Sequence, residues 1–186
     1  MKYIIIGAGS RGMTYGNWAY DHGIKIAAIA EIRPDRLENA AALWNVPREM
    51  CFDSPKKLFA LGKIADAAII ATMDRDHYGH VMQALDCGYD LLLEKPISPD
   101  PKECIAIEEK ANSLGRKITV CHVLRYTSFY SKLKEIIDSG KLGKVVAIKH
   151  AENIGNFHMA HSFVRGNWRN DNLSSPIIMQ KSAPLH

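Results

Sequence analysis

The chain has 186 residues, 47% hydrophobic and 24% charged, with a formal net charge of +4 at pH 7. That length suffices for one complete domain and part of a second, and the composition excludes disordered, collagenous and disulfide-framed classes. No apolar run approaches the length of a membrane-spanning helix, and Ile4–Ile6 is too short for a signal-peptide core, so a cytoplasmic protein without a membrane partner is expected.

The elements follow in chain order as strand 2–6, helix 11–22, strand 24–30, helix 34–44, a short strand near 50–52 and a helix at 55–61. Then come strand 66–72, helix 76–87, strand 89–94, helix 101–114 and strand 117–123. Gly23, Gly88, Gly115 and Gly140 each close a helical pattern just before an apolar run, the position that favours a left-handed residue. Ser54-Pro55 and Asp100-Pro101 supply matching start signals, a capping side chain followed by proline at the first helical position. Near-continuous apolar strands alternating with helices imply a parallel sheet covered on both faces. The expected fold class is α/β, a Rossmann-type doubly wound domain over residues 1–123.

Residues 124–186 read as a linking helix at 127–139, with Phe129, Leu133, Ile136 and Ile137 on one side, and then a strand at 144–152. From Asn153 the pattern is irregular and rich in His, Asn and Trp. This segment is expected to be the incomplete start of an α+β substrate domain, because one helix and one strand cannot build a core. Its excess of basic residues is dispersed among the element patterns, which argues against a nucleic-acid surface. Cys51, Cys87, Cys104 and Cys121 contain no CxxC pair, so neither disulfides nor zinc are expected.

The most informative motif is Gly7-Ala8-Gly9-Ser10-Arg11-Gly12, between the first strand and the first helix. Gly7 permits a tight turn, Gly9 a close approach of backbone to a pyrophosphate, and Gly12 close packing of helix on strand. Glu31, at the end of the second strand, stands where a carboxylate accepts hydrogen bonds from an adenosine ribose. A dinucleotide site is the expectation. Glu31 should repel a 2′-phosphate and favour NAD over NADP, with Arg33 and Arg36 near enough in sequence to offset it.

In such a sheet the ligand crevice lies beyond the C-terminal strand ends. Three further ends converge there: Thr72-Met73-Asp74-Arg75-Asp76-His77, Glu94-Lys95-Pro96 and Leu124-Arg125-Tyr126. Lys95, beside a cationic nicotinamide, would have its ammonium form disfavoured and would serve as general acid/base, with Glu94 orienting it and Pro96 shaping the turn through a cis bond. His77 is read either as a donor to cofactor or substrate or as a polar residue of a helix's first turn. Arg125 and Lys181 are candidate substrate contacts. His158 and His161 do not lie in a helical pattern, and no metal is expected. Trp44, Trp168 and Tyr126 read as packing residues.

These residues resemble the Gfo/Idh/MocA family of NAD(P)-dependent oxidoreductases, in GAGSRG at 7–12, Glu31, the Thr72–His77 segment, GYDLLLEKPIS at 88–98 and SGKLGKVVAI at 139–148. The resemblance implies that Lys95 lies beside the nicotinamide, with cofactor contacts from Gly7, Gly9, Ser10, Arg11, Gly12, Glu31, Thr72, His77 and Glu94. It implies an oxidoreductase acting on a sugar or cyclic polyol hydroxyl, with NAD as cofactor (or NADP), and a homo-oligomer, while an exposed strand at 144–152 would pair with another chain and make this one self-associating. Members of the similar branch continue from Gln-Lys-Ser into Cys-His-Asp, whereas Ala183-Pro184-Leu185-His186 follows Gln180-Lys181-Ser182 here. The expectation is a truncated or frame-shifted member with weak or no turnover. The alternatives are a non-catalytic dinucleotide-binding module or remnant, and an NAD-using glycosidase.

Overall fold

The computed structural model describes residues 1–151, 153, 155–170 and 174–182. The chain divides into two compact units, Met1–Cys121 and His122–His186. The first unit alternates β1 (Lys2–Ile6), α1 (Ser10–Asp21), β2 (Lys25–Ala30), α2 (Pro34–Leu43), β3 (Cys51–Phe52) and α3 (Pro55–Phe59). It continues through β4 (Ala67–Ile70), α4 (His77–Asp86), β5 (Asp90–Leu93), α5 (Pro101–Ser113) and β6 (Ile118–Val120). The six strands pair in the order β3-β2-β1-β4-β5-β6, every pair parallel. The order reverses between β1 and β4, so the switch point of this Rossmann sheet falls beside the glycine-rich loop.

The alternation of side chains along each strand explains why the sheet is covered twice. Ile4 and Ile6 of β1 join Ala68, Ile70, Val81, Leu85, Leu93 and Ile107 in the core beneath α3, α4 and α5. Ile5 points the other way, into a core with Ala19, Ile29, Ala40 and Trp44 from α1, β2 and α2. Ile4, Ile5 and Ile6 are all fully buried, each contributing about 2–3 kcal/mol by area removed from water. The helix stops lie where the glycines announce them: Gly23, Gly88, Gly115 and Gly140 all have positive φ, between 62° and 81°. Asp100 caps α5, accepting from the Lys102 N–H at 2.8 Å. Ser54 precedes α3 as expected but makes no side-chain cap bond. A 3₁₀ turn, Asp74–Asp76, leads into α4, and β6 is shorter than the apolar run that announces it.

The second unit opens with a 3₁₀ turn, Val123–Tyr126, followed by α6 (Ser128–Asp138), which Thr127 caps. Phe129, Leu133 and Ile136 of α6 are exposed. The strand expected at 144–152 is absent among its described residues. Val145, Val146 and Ile148 have β-forming side chains, but a strand also needs a hydrogen-bonded neighbour, and the described residues of this unit contain none. The stretch expected to be irregular is partly helical instead: Asn156–His158 runs into a π-helical segment, Met159–Val164, in which the Arg165 N–H reaches back five residues to the Ala160 carbonyl at 3.0 Å. Gly155 and Gly166 bound it. A short helix, Ile177–Ser182, follows. Among the described residues, no helix is long and apolar enough to cross a membrane.

Candidate functional site

The register of the sheet sets out the site. Ala30, Ile6, Ile70, Leu93 and Val120 form one row across β2, β1, β4, β5 and β6. The next residue of each strand, Glu31, Gly7, Ala71, Glu94 and Cys121, therefore stands on one edge of the sheet. Gly7 is turned with φ +91°, and a Cβ there would lie 2.7 Å from the Ala71 carbonyl oxygen. A Cβ on Gly12 would come within 1.9 Å of the Gly7 oxygen, so only glycine lets α1 start this close to the strand end. Gly9 differs: a Cβ there would meet only the Arg36 Nη1, at 3.5 Å. Gly9 caps α1 without a side-chain bond, and the first turn of α1 holds no acidic residue. Its N–H groups are thus available for an anion, and the cradle over Gly9 fits a diphosphate.

Glu31 is almost fully buried. Its carboxylate accepts from the Ala8 N–H at 2.7 Å and from the Arg33 N–H at 2.9 Å. The two arginines that sequence alone treats alike separate here. Arg33 is engaged by Asp35 through two bonds of 3.1 and 2.8 Å. The Arg36 guanidinium leans over Gly9, with no side-chain hydrogen bond or ion pair among the described residues.

On the other side of the loop, Glu94 is buried at the end of β5. One carboxylate oxygen accepts from the Tyr15 hydroxyl, and the other from the Lys95 backbone N–H at 2.9 Å. Arg11 Nε stands 3.8 Å away, from a largely exposed side chain, a contact worth little by itself. Burial, and then the bond to Glu94, pushes the Tyr15 phenol well above its ordinary pKa. Burial pushes the neighbouring Cys121 thiol up to about 11. Lys95 is half-buried, and its peptide bond to Pro96 is cis. Tyr15 is a residue that motif reading passes over. Its spacing of four from Arg11 puts both on one face of α1, the signal that was available.

His77 opens α4, as its reading as a polar residue of a helix's first turn expects. It is 1% exposed, with Nδ1 2.8 Å from the Pro96 carbonyl oxygen and Nε2 3.3 Å from that of Thr72. Burial lowers its pKa against the pull of these carbonyls. The ring braces the loop after β4 against the Glu94-Lys95-Pro96 turn. The Thr72 hydroxyl is 3.1 Å from His80 Nδ1. Arg125 lies in the first turn of the second unit and Lys181 in its last helix, where the side chain is outside the described residues. Ala183-Pro184-Leu185-His186 is likewise outside them. All four cysteines are free thiols. Among the described residues, no group of three or more His, Cys, Asp or Glu is arranged to hold a metal ion.

Known proteins are similar to this chain in sequence and in fold. Inositol 2-dehydrogenase of Corynebacterium glutamicum strain R is 29% identical over 148 residues, 78% of this chain and 43% of that protein. Inositol 2-dehydrogenase of Pseudarthrobacter chlorophenolicus is 28% identical over 153 residues, 81% of this chain and 44% of that protein. Among solved structures, myo-inositol 2-dehydrogenase from Lactobacillus plantarum superposes with a TM-score of 0.71 at 23% identity, over 78% of this chain and 43% of that one. The WlbA dehydrogenase from Bordetella pertussis, in complex with NADH and UDP-GlcNAcA, gives 0.71 at 21% identity, over 77% and 44%. The chain spans less than half the length of these relatives. Residues 1–122 match the family model described as an oxidoreductase family with an NAD-binding Rossmann fold, and the chain belongs to that Gfo/Idh/MocA family.

Proposed function

We propose that the chain serves reversible oxidation of a hydroxyl on a sugar or cyclic polyol, with Lys95 as the acid/base. The observation that supports it most is the in-register row that sets the Gly7–Gly12 loop, Thr72 and the Glu94–Lys95 turn on neighbouring strand ends. NAD, when bound, supplies the hydride acceptor. The loop and the start of α1 would hold its diphosphate, Glu31 its adenosine ribose, and Ser10, Arg11, Thr72 and Glu94 further parts of the molecule. Lys95, as the neutral amine, would take the hydroxyl proton as hydride leaves the same carbon, and return it in the reverse direction. Glu94 accepts the Lys95 backbone N–H and would thereby hold the turn that carries Lys95. Arg125 and Lys181 are proposed substrate contacts, and the inositol dehydrogenase relatives support a polyol.

The test is NADH formation on a panel of polyols and sugars, with Lys95→Ala as control. Turnover should fall about 10²- to 10⁴-fold in Lys95→Ala while NAD affinity stays within a factor of about two. Equal turnover in both proteins would remove Lys95 from the chemistry. NAD binding without Lys95-dependent turnover on any member of the panel would mark a binding module instead.

A further inference from the structure

We propose that Glu31 shapes the diphosphate loop as well as meeting the ribose, so that its loss weakens NAD and NADP together instead of exchanging one for the other. This rests on the dinucleotide reading of the site and adds a second task to its acid. The Ala8 N–H lies at the turn of the loop, in a residue that is 1% exposed, and donates to Glu31 Oε2 at 2.7 Å across 23 residues of sequence. The Arg33 N–H donates to Oε1 at 2.9 Å, in the connection from β2 to α2. One carboxylate therefore clamps the peptide between Gly7 and Gly9 to the end of the neighbouring strand. A buried N–H that loses its acceptor has no water to replace it, and the peptide is then driven to rotate. Rotation at Ala8 would reorient the adjoining peptides, including the Gly9 cradle.

The chemistry of the clamp limits what can replace it. It presents two acceptors to two N–H donors, so only a carboxylate of this length satisfies both. Glutamine has one carbonyl oxygen and one NH₂ group, which sets a donor against one of the two donors. Aspartate keeps the charge, but with one methylene fewer it cannot span Ala8 and Arg33. A residue that acted solely by repelling a 2′-phosphate would behave otherwise, because removing its charge would favour NADP.

Amide hydrogen exchange of Ala8 and calorimetry with NAD and NADP separate the two cases. In the unmodified chain without cofactor, the Ala8 amide should be protected. In Glu31→Gln its exchange should quicken about tenfold or more, and both cofactors should bind about tenfold more weakly. Glu31→Asp should quicken Ala8 exchange as well while keeping the preference for NAD, and it serves if the Gln variant does not fold. An unprotected Ala8 in the unmodified chain, or Glu31→Gln binding NADP more tightly than the parent, overturns the proposal. Absence of heat with either cofactor in the unmodified chain would instead remove the dinucleotide reading, while the Ala8 exchange comparison would still decide the clamp.

Discussion

Two glycines of one loop should respond oppositely to the same added methyl group. In Gly12→Ala the new Cβ would stand 1.9 Å from the Gly7 oxygen and 3.0 Å from its carbonyl carbon, both backbone atoms. The first distance is roughly 1.5 Å short of ordinary contact, so α1 must lift from β1. That overpacking costs about 1–3 kcal/mol, or a Tm lower by about 4–12 °C in a domain of this size. In Gly9→Ala the Cβ would meet only the tip of the Arg36 side chain, at 3.5 Å, and the backbone there is extended with φ −71°. Stiffening the unfolded chain gains about 0.4–1 kcal/mol, while alanine at a helix cap costs about as much. The Tm should therefore move by less than about 3 °C. The same methyl would stand where the diphosphate approaches, and NAD affinity should fall about a hundredfold, the equivalent of roughly 2.7 kcal/mol. Thermal unfolding and calorimetry on the two variants provide the assay. A Gly9→Ala protein that binds NAD like the parent would refute the assignment of the loop. A Gly12→Ala protein as stable as the parent would refute the packing argument.

Two other expectations concern the braces around the Glu94–Lys95 turn. Tyr15→Phe removes the donor to a buried carboxylate and should lower stability by about 1–3 kcal/mol in urea unfolding; an unchanged midpoint would mean that Tyr15 does not support Glu94. His77 and His80 both have pKa values lowered, chiefly by burial, so the unfolded chain binds more protons than the folded one below pH 6.5. Stability contributed by the neutral rings is complete above that pH and falls as pH drops toward the lowered folded values. His77→Asn should flatten the slope of stability against pH in this window, and an unaltered slope would exonerate His77.

The first unit was legible because its signals are local. Runs such as Ile4–Ile6 and Ala67–Ile70 are apolar on both faces, and α1, α4 and α5 each close at a glycine with left-handed φ. Gly12 is legible for the same reason, since its nearest neighbour is the Gly7 oxygen of the same strand–turn–helix unit, whereas Gly7 and Gly9 meet Ala71 and Arg36 from farther along the chain. What escaped the sequence depends on residues far apart in the chain. The bond from Ala8 to Glu31 and that from Tyr15 to Glu94 span 23 and 79 positions, and neither side chain advertises its partner. His77 was ambiguous because its burial arises from the return of the Pro96 carbonyl, 19 residues on. The strand expected at 144–152 is absent among its described residues because β propensity at Val145, Val146 and Ile148 describes a side chain that fits a sheet, and the described residues of this unit offer no strand to pair with. The π-helical stretch Met159–Val164 was hidden by a neighbourhood rich in His and Asn, whose weak helix preference outweighed, on paper, the apolar Phe157, Ala160 and Val164.

The central claim, that the loop and Glu31 together recognise the adenosine diphosphate half of NAD, is tested most directly by displacement of NADH. ADP-ribose carries both the diphosphate and the adenosine ribose, and nicotinamide mononucleotide carries neither. With NADH fluorescence altered by the chain, ADP-ribose should restore the free signal stoichiometrically, and the mononucleotide should leave it unchanged at the same concentration. NADH fluorescence indifferent to the chain, or displaced equally well by the mononucleotide, would contradict the account.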